Sequence, residues 1–215
     1  MKRIKKMINK PSESEIDSYL KKWDSLENYV LQESSLKKLF FHTYPLNIEM
    51  DDVLIKVCSL NDFYSTNIFS PFTIAKHIIT LNIDNRLENN DLELVNDIAK
   101  TQVANKKEIN FYSFATKYCS HHKPDIYPIY DSYVEKLLLY FKKEDKFFSF
   151  DKIDLKTYSK YKNILIEFQK YYKLTKFNLK DIDRYLWQVG KENFPRQFVS
   201  KTTNSKSHAI LAFSP

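Results

Sequence analysis

Residues 110–139 read NFYSFATKYCSHHKPDIYPIYDSYVEKLLL, and this stretch predicts a helix, a polar turn and a second helix. Lys117 is the one lysine of the first helix and stands among aromatic and small residues. Asp131 directly precedes an apolar run at helical spacing, where the N-cap of the second helix is expected. The stretch therefore brings a lysine and a carboxylate to the two sides of one turn.

The glycine content is the most restrictive feature of the composition. Gly190 is the single glycine among 215 residues. Phosphate-cradling loops and dinucleotide-binding turns need several glycines, because their backbone takes positive φ or approaches a ligand closely. The sequence therefore excludes a P-loop and a Rossmann fingerprint, and it disfavours long β-meanders with tight turns.

Helical periodicity runs through most of the chain, of which 43% is hydrophobic. The pattern predicts about eight helices and little strand, so the fold class is predicted as all-α, in one domain over residues 1–215. The pattern predicts helices over residues 50–60, 91–101 and 178–190, an N-terminal helix capped by Ser12 and a helix that starts at Pro71. It also predicts connectors at residues 61–67 and 84–90. The two ends, residues 1–12 and 195–215, are predicted to be loosely ordered.

The charge of the chain is compatible with a polyanionic partner. The net charge is +7 and the isoelectric point is near 9.1, which suits nucleic acid without requiring it. The basic N-terminus is followed by no apolar segment of the secretory type. No run approaches the ~18 apolar residues of a membrane-spanning helix. The protein is predicted to be cytoplasmic and to have no membrane partner.

A metal site is conceivable around His121 and His122, with Cys119 and Asp125 nearby. The histidines are adjacent, however, and their spacing fits no closed structural zinc site. A cysteine–histidine nucleophilic pair would also need a third, orienting group. We therefore predict no metal and no other cofactor.

Lys117 and Asp131 each have a chemical and an ordinary interpretation. Burial in an aromatic helix would lower the pKa of the Lys117 amine and make it available for Schiff-base chemistry. Most lysines instead extend to the surface, and an aspartate before an apolar run mostly serves as a helix cap. The residue types alone leave both interpretations open.

The order of three segments resembles that of the helix-hairpin-helix (HhH-GPD) DNA glycosylases, nearest to the 8-oxoguanine glycosylases. PIYDSYV at 128–134 is similar to the family's catalytic-aspartate segment, and Lys117 precedes it as the family's lysine does. VCSLN at 57–61 is similar to the segment whose asparagine enters the space vacated by the flipped base. The resemblance covers about residues 50–190. It implies two helical lobes around a cleft, and a phosphate-binding hairpin turn that would fall at residues 108–113.

The resemblance also implies roles for individual residues. Asp131 would stabilise positive charge on the sugar or activate water, and Lys117 would attack the anomeric carbon if the backbone is also nicked. Asn61 would fill the space left by the base. Neighbouring residues would hold the flipped base and the phosphates. The base contacts implied are Tyr64, Tyr130, Ser132, Tyr133, Trp187 and Gln188, and the phosphate contacts are Lys106, Lys107, Lys123 and Arg184.

The expected activity is therefore excision of a modified base from double-stranded DNA by a monomeric N-glycosylase. AP-lyase activity would accompany it if Lys117 acts. The enzyme would serve base-excision repair or antiviral defence against phage with modified DNA. Two alternatives from other classes remain: a non-catalytic nucleic-acid-binding module of a defence system, and an all-α interaction protein with a basic surface.

Overall fold

Ten α-helices make up most of the backbone in the computed structural model, which describes residues 7–103 and 107–195. The helices are α1 (Glu13–Asp24), α2 (Glu27–Lys37), α3 (Met50–Tyr64), α4 (Pro71–Thr80), α5 (Ile83–Glu88), α6 (Glu93–Ala99), α7 (Tyr112–His122), α8 (Ser132–Asp145), α9 (Tyr158–Tyr171) and α10 (Leu179–Asn193). The prediction of a mostly helical chain is confirmed. Of the predicted loose ends, residues 1–6 and 196–215 lie outside the described residues. No helix in the described part is long and apolar enough to cross a membrane.

Several helices begin where the local sequence predicts. Ser12 caps α1 and accepts a hydrogen bond from Glu15 N at 3.2 Å. Asn178 caps α10 in a reciprocal capping box with Asp181. Pro71 is the first residue of α4, where its missing N–H costs nothing because that donor would be unpaired in any case. These helix starts depend only on residues that are close together in the sequence, which explains why they can be predicted without knowledge of the fold.

Two of the predicted connectors are wrong. The segment expected to link helices at 84–90 contains α5, whose Ile83 and Leu87 lie four residues apart and are both buried. The break expected from residue 61 comes later, because α3 continues to Tyr64 and ends at Ser65, which has φ 47°. In both places burial of apolar side chains outweighs the polar composition of the segment.

A β-hairpin connects α6 to α7. β1 (Lys100–Val103) pairs antiparallel with β2 (Lys107–Asn110), so that Lys100 lies opposite Asn110. Phe111 N donates to Ala99 O at 2.8 Å and closes the base of the hairpin. The phosphate-binding turn expected at residues 108–113 is therefore wrong, since these residues form a strand and the start of α7. The helix predicted over 91–101 likewise ends at Ala99.

The core is centred on α7, which is buried along almost its whole length. Its buried residues include Thr116, Lys117, Ser120 and His121, which are all at most 7% exposed. Buried polar groups are costly unless they are hydrogen-bonded. The position of α7 therefore requires hydrogen-bond partners for these side chains, and one partner, Tyr64, lines a cleft.

Gly190 lies inside α10, which continues to Asn193 rather than ending near the glycine as predicted. A Cβ at this position would lie 2.8 Å from Tyr133 O and 2.9 Å from Tyr133 Cβ. The glycine thus lets α10 approach the backbone of α8 at its first turn. A glycine is therefore needed at position 190 for close helix packing, and this packing supports the start of α8, which Asp131 caps.

Candidate functional site

A cleft of about 570 Å³ opens between α2, the end of α3, α7, the start of α8 and α10. Lys117 and Asp131 both line it, so the fold brings the two predicted catalytic residues to one cavity. The cleft walls also include Tyr64, Tyr133 and Asp183. The turn from α7 to α8 bridges the short chain interval between the lysine and the aspartate.

Lys117 is 3% exposed and makes hydrogen bonds to uncharged groups. Its Nζ donates to Ser113 Oγ at 2.7 Å, to Ser113 O at 3.3 Å and to Tyr130 O at 3.4 Å. The same Nζ lies 5.2 Å from the centre of the Tyr64 ring, a distance suited to a cation–π contact. Of the two interpretations left open by the sequence, the surface lysine is therefore wrong, and the buried amine lines the cleft.

Asp131 is the N-cap of α8, as predicted, and also lines the cleft. Its Oδ1 accepts a hydrogen bond from Tyr133 N at 2.7 Å. This bond fixes the carboxylate at the positive end of the helix dipole. Because Tyr130 O contacts Lys117 Nζ, the amine lies against the peptide that leads into Asp131. Capping and a chemical role are thus compatible, since the cap orients the carboxylate.

Asp183 is a cleft residue that the sequence reasoning missed. It is 6% exposed; its Oδ2 accepts from Ile129 N at 2.8 Å, and its Oδ1 has no hydrogen-bond partner among the described residues. Burial raises the pKa of Asp183 to about 7, against the opposing effects of Lys180, the Ile129 N–H and Lys117. A buried carboxyl with an unpaired oxygen beside a cavity is typical of a functional site.

A sequence signal for Asp183 did exist. The buried residues of α10 include Ile182, Leu186 and Val189, and Asp183 stands within this apolar face of the helix. A carboxylate on such a face has to be paired, neutral or functional. The helical pattern alone could have identified it as unusual, although the cleft beside it could not be foreseen.

Aromatic rings line the outer part of the cleft. Trp187 makes edge contacts with Trp23 and Tyr29, with ring centres 5.9 and 5.0 Å apart. Lys191 Nζ lies 4.8 Å from the Tyr29 ring centre and 4.7 Å from that of Trp187. The guanidinium carbon of Arg184 lies 5.5 Å from the Trp23 ring. Flat aromatic faces beside cations are a surface on which a nucleobase and its phosphate can bind.

The predicted base contacts divide into two groups. Tyr64, Tyr133 and Trp187 line the cleft. Tyr130 does not line it: its ring is buried and its hydroxyl bonds with Glu135 and Lys156. Gln188 and Ser132 are not among the cleft-lining residues either. The Gln188 side chain is buried, and its Nε2 donates to Tyr19 O. Ser132 is the first residue of α8 and is exposed.

Asn61 has its side chain engaged within the loop that follows α3. Its Nδ2 donates to Ile68 O at 3.0 Å, and its Oδ1 accepts from Thr66 Oγ1 and from Ile68 N, both at 2.9 Å. The amide therefore fixes the loop, and using it to contact DNA would break three hydrogen bonds.

Two of the predicted phosphate contacts, Lys123 and Arg184, lie at different pockets. Lys106 lies outside the described residues, and Lys107 lies in β2. Lys123 lines a separate shallow pocket and donates to Glu88 O at 3.0 Å and Asn90 Oδ1 at 2.8 Å. Arg184 lines the cleft.

Glu33 offsets part of the positive charge of the cleft. Its Oε1 lies 2.9 Å from Arg184 Nη2 and 3.4 Å from Lys180 Nζ. Burial raises the pKa of Glu33, but the two cations lower it further than burial raises it, so the carboxylate is ionised. A phosphate at this rim would compete with Glu33 for both cations.

Of the two histidines of α7, His121 contacts the cleft-lining Tyr64, whereas His122 lines the separate shallow pocket. His121 Nε2 lies 2.9 Å from Tyr64 Oη, and burial lowers the pKa of His121 well below its usual value, so the ring is neutral. His122 Nε2 lies 3.2 Å from Asn47 Oδ1. No group of three His, Cys, Asp or Glu side chains placed to hold a metal occurs in residues 7–103 and 107–195.

The fold and the site together define a mostly helical protein with an aromatic cleft. The buried Lys117 and the carboxyl groups of Asp131 and Asp183 line this cleft. A family model named HI_0787_N, described as an N-terminal domain, matches residues 15–126. A Haemophilus influenzae protein named "Uncharacterized protein" is 50% identical over 148 residues, which is 68% of this chain and 70% of that relative. The chain belongs to the HI_0787_N family. No solved structure matches the chain.

The residues that match the family model include only some of the residues that line the cleft. Residues 15–126 contain Asn61, Tyr64 and Lys117. Asp131 and Asp183 follow the range, although both line the same cleft as Lys117. The matched N-terminal domain therefore contributes Lys117, Glu33 and part of the aromatic lining, and the residues after it contribute Asp131 and Asp183.

Proposed function

We propose that this protein is a DNA N-glycosylase with a divergent HhH-GPD-like fold, which flips a modified base into the cleft and cleaves its glycosidic bond. The observation that carries the proposal is that Lys117 and Asp131 line one cavity, in the order found in that superfamily. The cavity has the attributes that a flipped nucleotide needs, namely aromatic faces, cations at the rim and a buried polar group.

Asp131 is the residue proposed to act on the sugar. Breaking an N-glycosidic bond develops positive charge on the ring, and a fixed carboxylate stabilises that charge. The hydrogen bond from Tyr133 N holds the carboxylate in place before substrate binds. A preorganised charge of this kind costs no reorganisation during the reaction.

Lys117 is proposed to act as the nucleophile of an associated lyase step. Its neutral amine would attack the anomeric carbon as the base leaves with the electron pair of the glycosidic bond. Opening of the C1′–O4′ bond, with one proton moving from nitrogen to O4′, would then give the Schiff base. Burial raises the pKa of Asp183 to about 7, and Lys117 is close enough for its positive charge to lower that pKa in part. In the proposed site the Asp183 carboxyl meets the edge of the flipped base, because its Oδ1 is buried and unpaired at the cleft.

A second candidate is a non-catalytic nucleic-acid-binding module. The three hydrogen bonds of Lys117 Nζ favour it, because a lysine held in this way can serve the fold alone. In that case the aromatic wall and the rim cations would bind a nucleotide without cleaving it. The two candidates differ in whether any base is released.

The test is a base-release assay on duplex oligonucleotides that each carry one modified base. Oxidised, deaminated and alkylated bases represent repair, and phage DNA with modified bases represents defence. Abasic sites are revealed by alkaline strand cleavage. We expect Asp131→Asn to reduce release at least about 100-fold, since electrostatic groups of this kind contribute on the order of 10²–10³. Asp125→Asn, an exposed aspartate of the same turn, is the matched control and should match wild type.

Borohydride trapping tests the lysine separately. A covalent complex with wild type and none with Lys117→Ala would support the lyase step, with Lys123→Ala as control. If wild type releases a base but traps no DNA, the glycosylase is monofunctional. If no DNA in the panel yields abasic sites and duplex binding is retained, the binding-module candidate replaces the glycosylase proposal.

A further inference from the structure

Glu33 places one carboxylate between two cations inside the cleft. It belongs to α2, whereas Lys180 and Arg184 stand one helical turn apart on α10, and all three residues line the cavity. The Glu33 side chain is 23% exposed, and those of Lys180 and Arg184 are 16% and 28% exposed. Salt screens charges so little exposed to water only weakly. The three groups therefore interact more strongly than an ion pair on the open surface.

The carboxylate satisfies the two cations only in part. Glu33 Oε1 lies within 2.9 Å of Arg184 Nη2 and 3.4 Å of Lys180 Nζ, so one oxygen serves both cations. The buried Nε of Arg184 has no hydrogen-bond partner among the described residues. Asp181 Oδ1 lies 3.9 Å from Arg184 Nη1, which is beyond hydrogen-bonding distance. A buried donor without a partner often marks a site where a ligand binds.

Aromatic rings adjoin these cations and indicate the kind of anion that suits them. The guanidinium carbon of Arg184 lies 5.5 Å from the centre of the Trp23 ring. Trp23 packs edge-on against Trp187, and both rings line the cavity. A nucleotide carries a flat base for such rings and a phosphate whose several oxygens can accept from a lysine and an arginine together. A cavity of about 570 Å³ is large enough for a ligand of that size.

We propose that Glu33 is a built-in competitor of the phosphate that accompanies the bound nucleotide. In the free protein Glu33 pairs with Lys180 and Arg184, and the phosphate displaces it on binding. The assignment of that phosphate to DNA rests on the proposed glycosylase function. A ligand that has to displace an internal group binds more weakly, in proportion to the fraction of protein in which the two cations are available. Glu33 therefore weakens binding of phosphate-bearing ligands and leaves binding of a nucleoside almost unchanged.

The attachment of α2 is consistent with release of Glu33. Within this helix, which is described along its whole length, Leu36 is the one buried residue. The N-cap of the helix, Leu26, makes no hydrogen bond through its side chain. An element with few buried side chains moves at a lower free-energy cost than the core helices do. Displacement of Glu33 thus requires no rearrangement of α7 or of the start of α8.

Tryptophan fluorescence measures binding in the cleft directly, because the two tryptophans of the chain, Trp23 and Trp187, both line it. The ligands are a nucleoside, its monophosphate and a single-stranded oligonucleotide of the same base, all at one salt concentration. We expect Glu33→Gln to tighten binding of the monophosphate and the oligonucleotide about fivefold, and to leave nucleoside binding within about twofold. Glutamine keeps the size of the side chain and still accepts a hydrogen bond from Arg184, but it carries no charge.

Two further variants separate competition at the cations from a general change of charge. Glu27→Gln is the matched control, because Glu27 is an exposed carboxylate in the first turn of the same helix. It should leave all three affinities within about twofold. Arg184→Met removes one of the two cations for which Glu33 competes. In that background the gain from Glu33→Gln should fall to within about twofold. Urea unfolding checks that each variant is folded before titration.

Unchanged or weaker binding of both phosphate-bearing ligands by folded Glu33→Gln would overturn the proposal, because Glu33 would then only join α2 to α10. An equal gain for the nucleoside would overturn it as well, since the effect would not depend on phosphate. The same holds if no ligand changes the fluorescence of either protein. A gain with the monophosphate but not with the oligonucleotide would support the competitor role and overturn the assignment of the phosphate to DNA.

Base release, measured in parallel, separates this proposal from the function on which it rests. If Glu33→Gln tightens binding of the phosphate-bearing ligands while wild type releases no base from any DNA, the glycosylase proposal fails and the competitor role stands. If wild type releases a base and Glu33→Gln leaves every affinity unchanged, the competitor role alone fails.

Discussion

Replacing Asp183 with asparagine should stabilise the protein in a pH-dependent manner. The carboxyl is buried, and its pKa is raised to about 7 from an ordinary value of 3.8. The asparagine side chain is nearly isosteric with aspartate, and its amide oxygen can still accept the hydrogen bond from Ile129 N. The substitution thus removes a titrating group without removing the side chain.

The magnitude follows from proton linkage. Between pH 3.8 and about 7 the folded protein keeps the proton that the unfolded chain has lost. Wild-type stability therefore falls as pH rises through this window, by about 1.4 kcal/mol per unit well inside it, and levels off above the folded pKa. From pH 5 to pH 8 the loss amounts to about 3 kcal/mol. Asp183→Asn lacks this loss, so its stability relative to wild type should rise by about 3 kcal/mol over the same range.

The assay is urea unfolding of both proteins at pH 5, 6, 7 and 8. Taking the difference between variant and wild type cancels the titrations that they share. Equal m-values would show that the substitution changed stability rather than compactness. A difference that is constant from pH 5 to pH 8 would refute the argument, because Asp183 would then not be a buried carboxyl with a raised pKa. A gain in stability at pH 8 together with slower base release would mark a position where function is kept at the expense of stability.

Three further substitutions test the framework around the cleft, each by urea unfolding. Asp131→Ala removes the bond to Tyr133 N and should lower the free energy of unfolding by about 1 kcal/mol, whereas Asp131→Asn should stay within about 0.5 kcal/mol because asparagine also caps helices. Gly190→Ala places a Cβ 2.8 Å from Tyr133 O and should cost about 1–3 kcal/mol; no cost would mean that α8 and α10 separate freely. Lys56→Met removes the buried donor of Tyr44 O and Leu46 O and should cost at least about 2 kcal/mol; a neutral result would show that water replaces the amine.

The local chemistry of the chain made the helix starts predictable. Ser12, Pro71, Asp131 and Asn178 all begin helices as expected, because a cap needs only its own neighbours along the chain. The wrong predictions lie where tertiary burial overrides composition. The polar segment around α5 is helical because Ile83 and Leu87 are buried, and this burial depends on how the helix packs in the folded protein.

The candidate site was predicted in part for the same reason. Lys117 and Asp131 belong to one helix–turn–helix stretch, so their proximity follows from a short chain interval. Asp183 lies far beyond Asp131 in sequence, and only the packing of α10 against α8 brings it to the cleft. The separation of Lys123 from the cleft likewise depends on how α7 is oriented, which no local pattern determines.

The sequence by itself determined a glycine-poor, mostly helical chain, the starts of its helices and the pairing of a lysine with a carboxylate across one turn. These follow from backbone propensity, capping and short-range spacing. The tertiary structure alone decided which side chains lose their water. It buries Lys117, raises the pKa of Asp183, engages Asn61 in its loop and exposes Phe69. Desolvation depends on every element packed around a group, and that is information that no single segment contains.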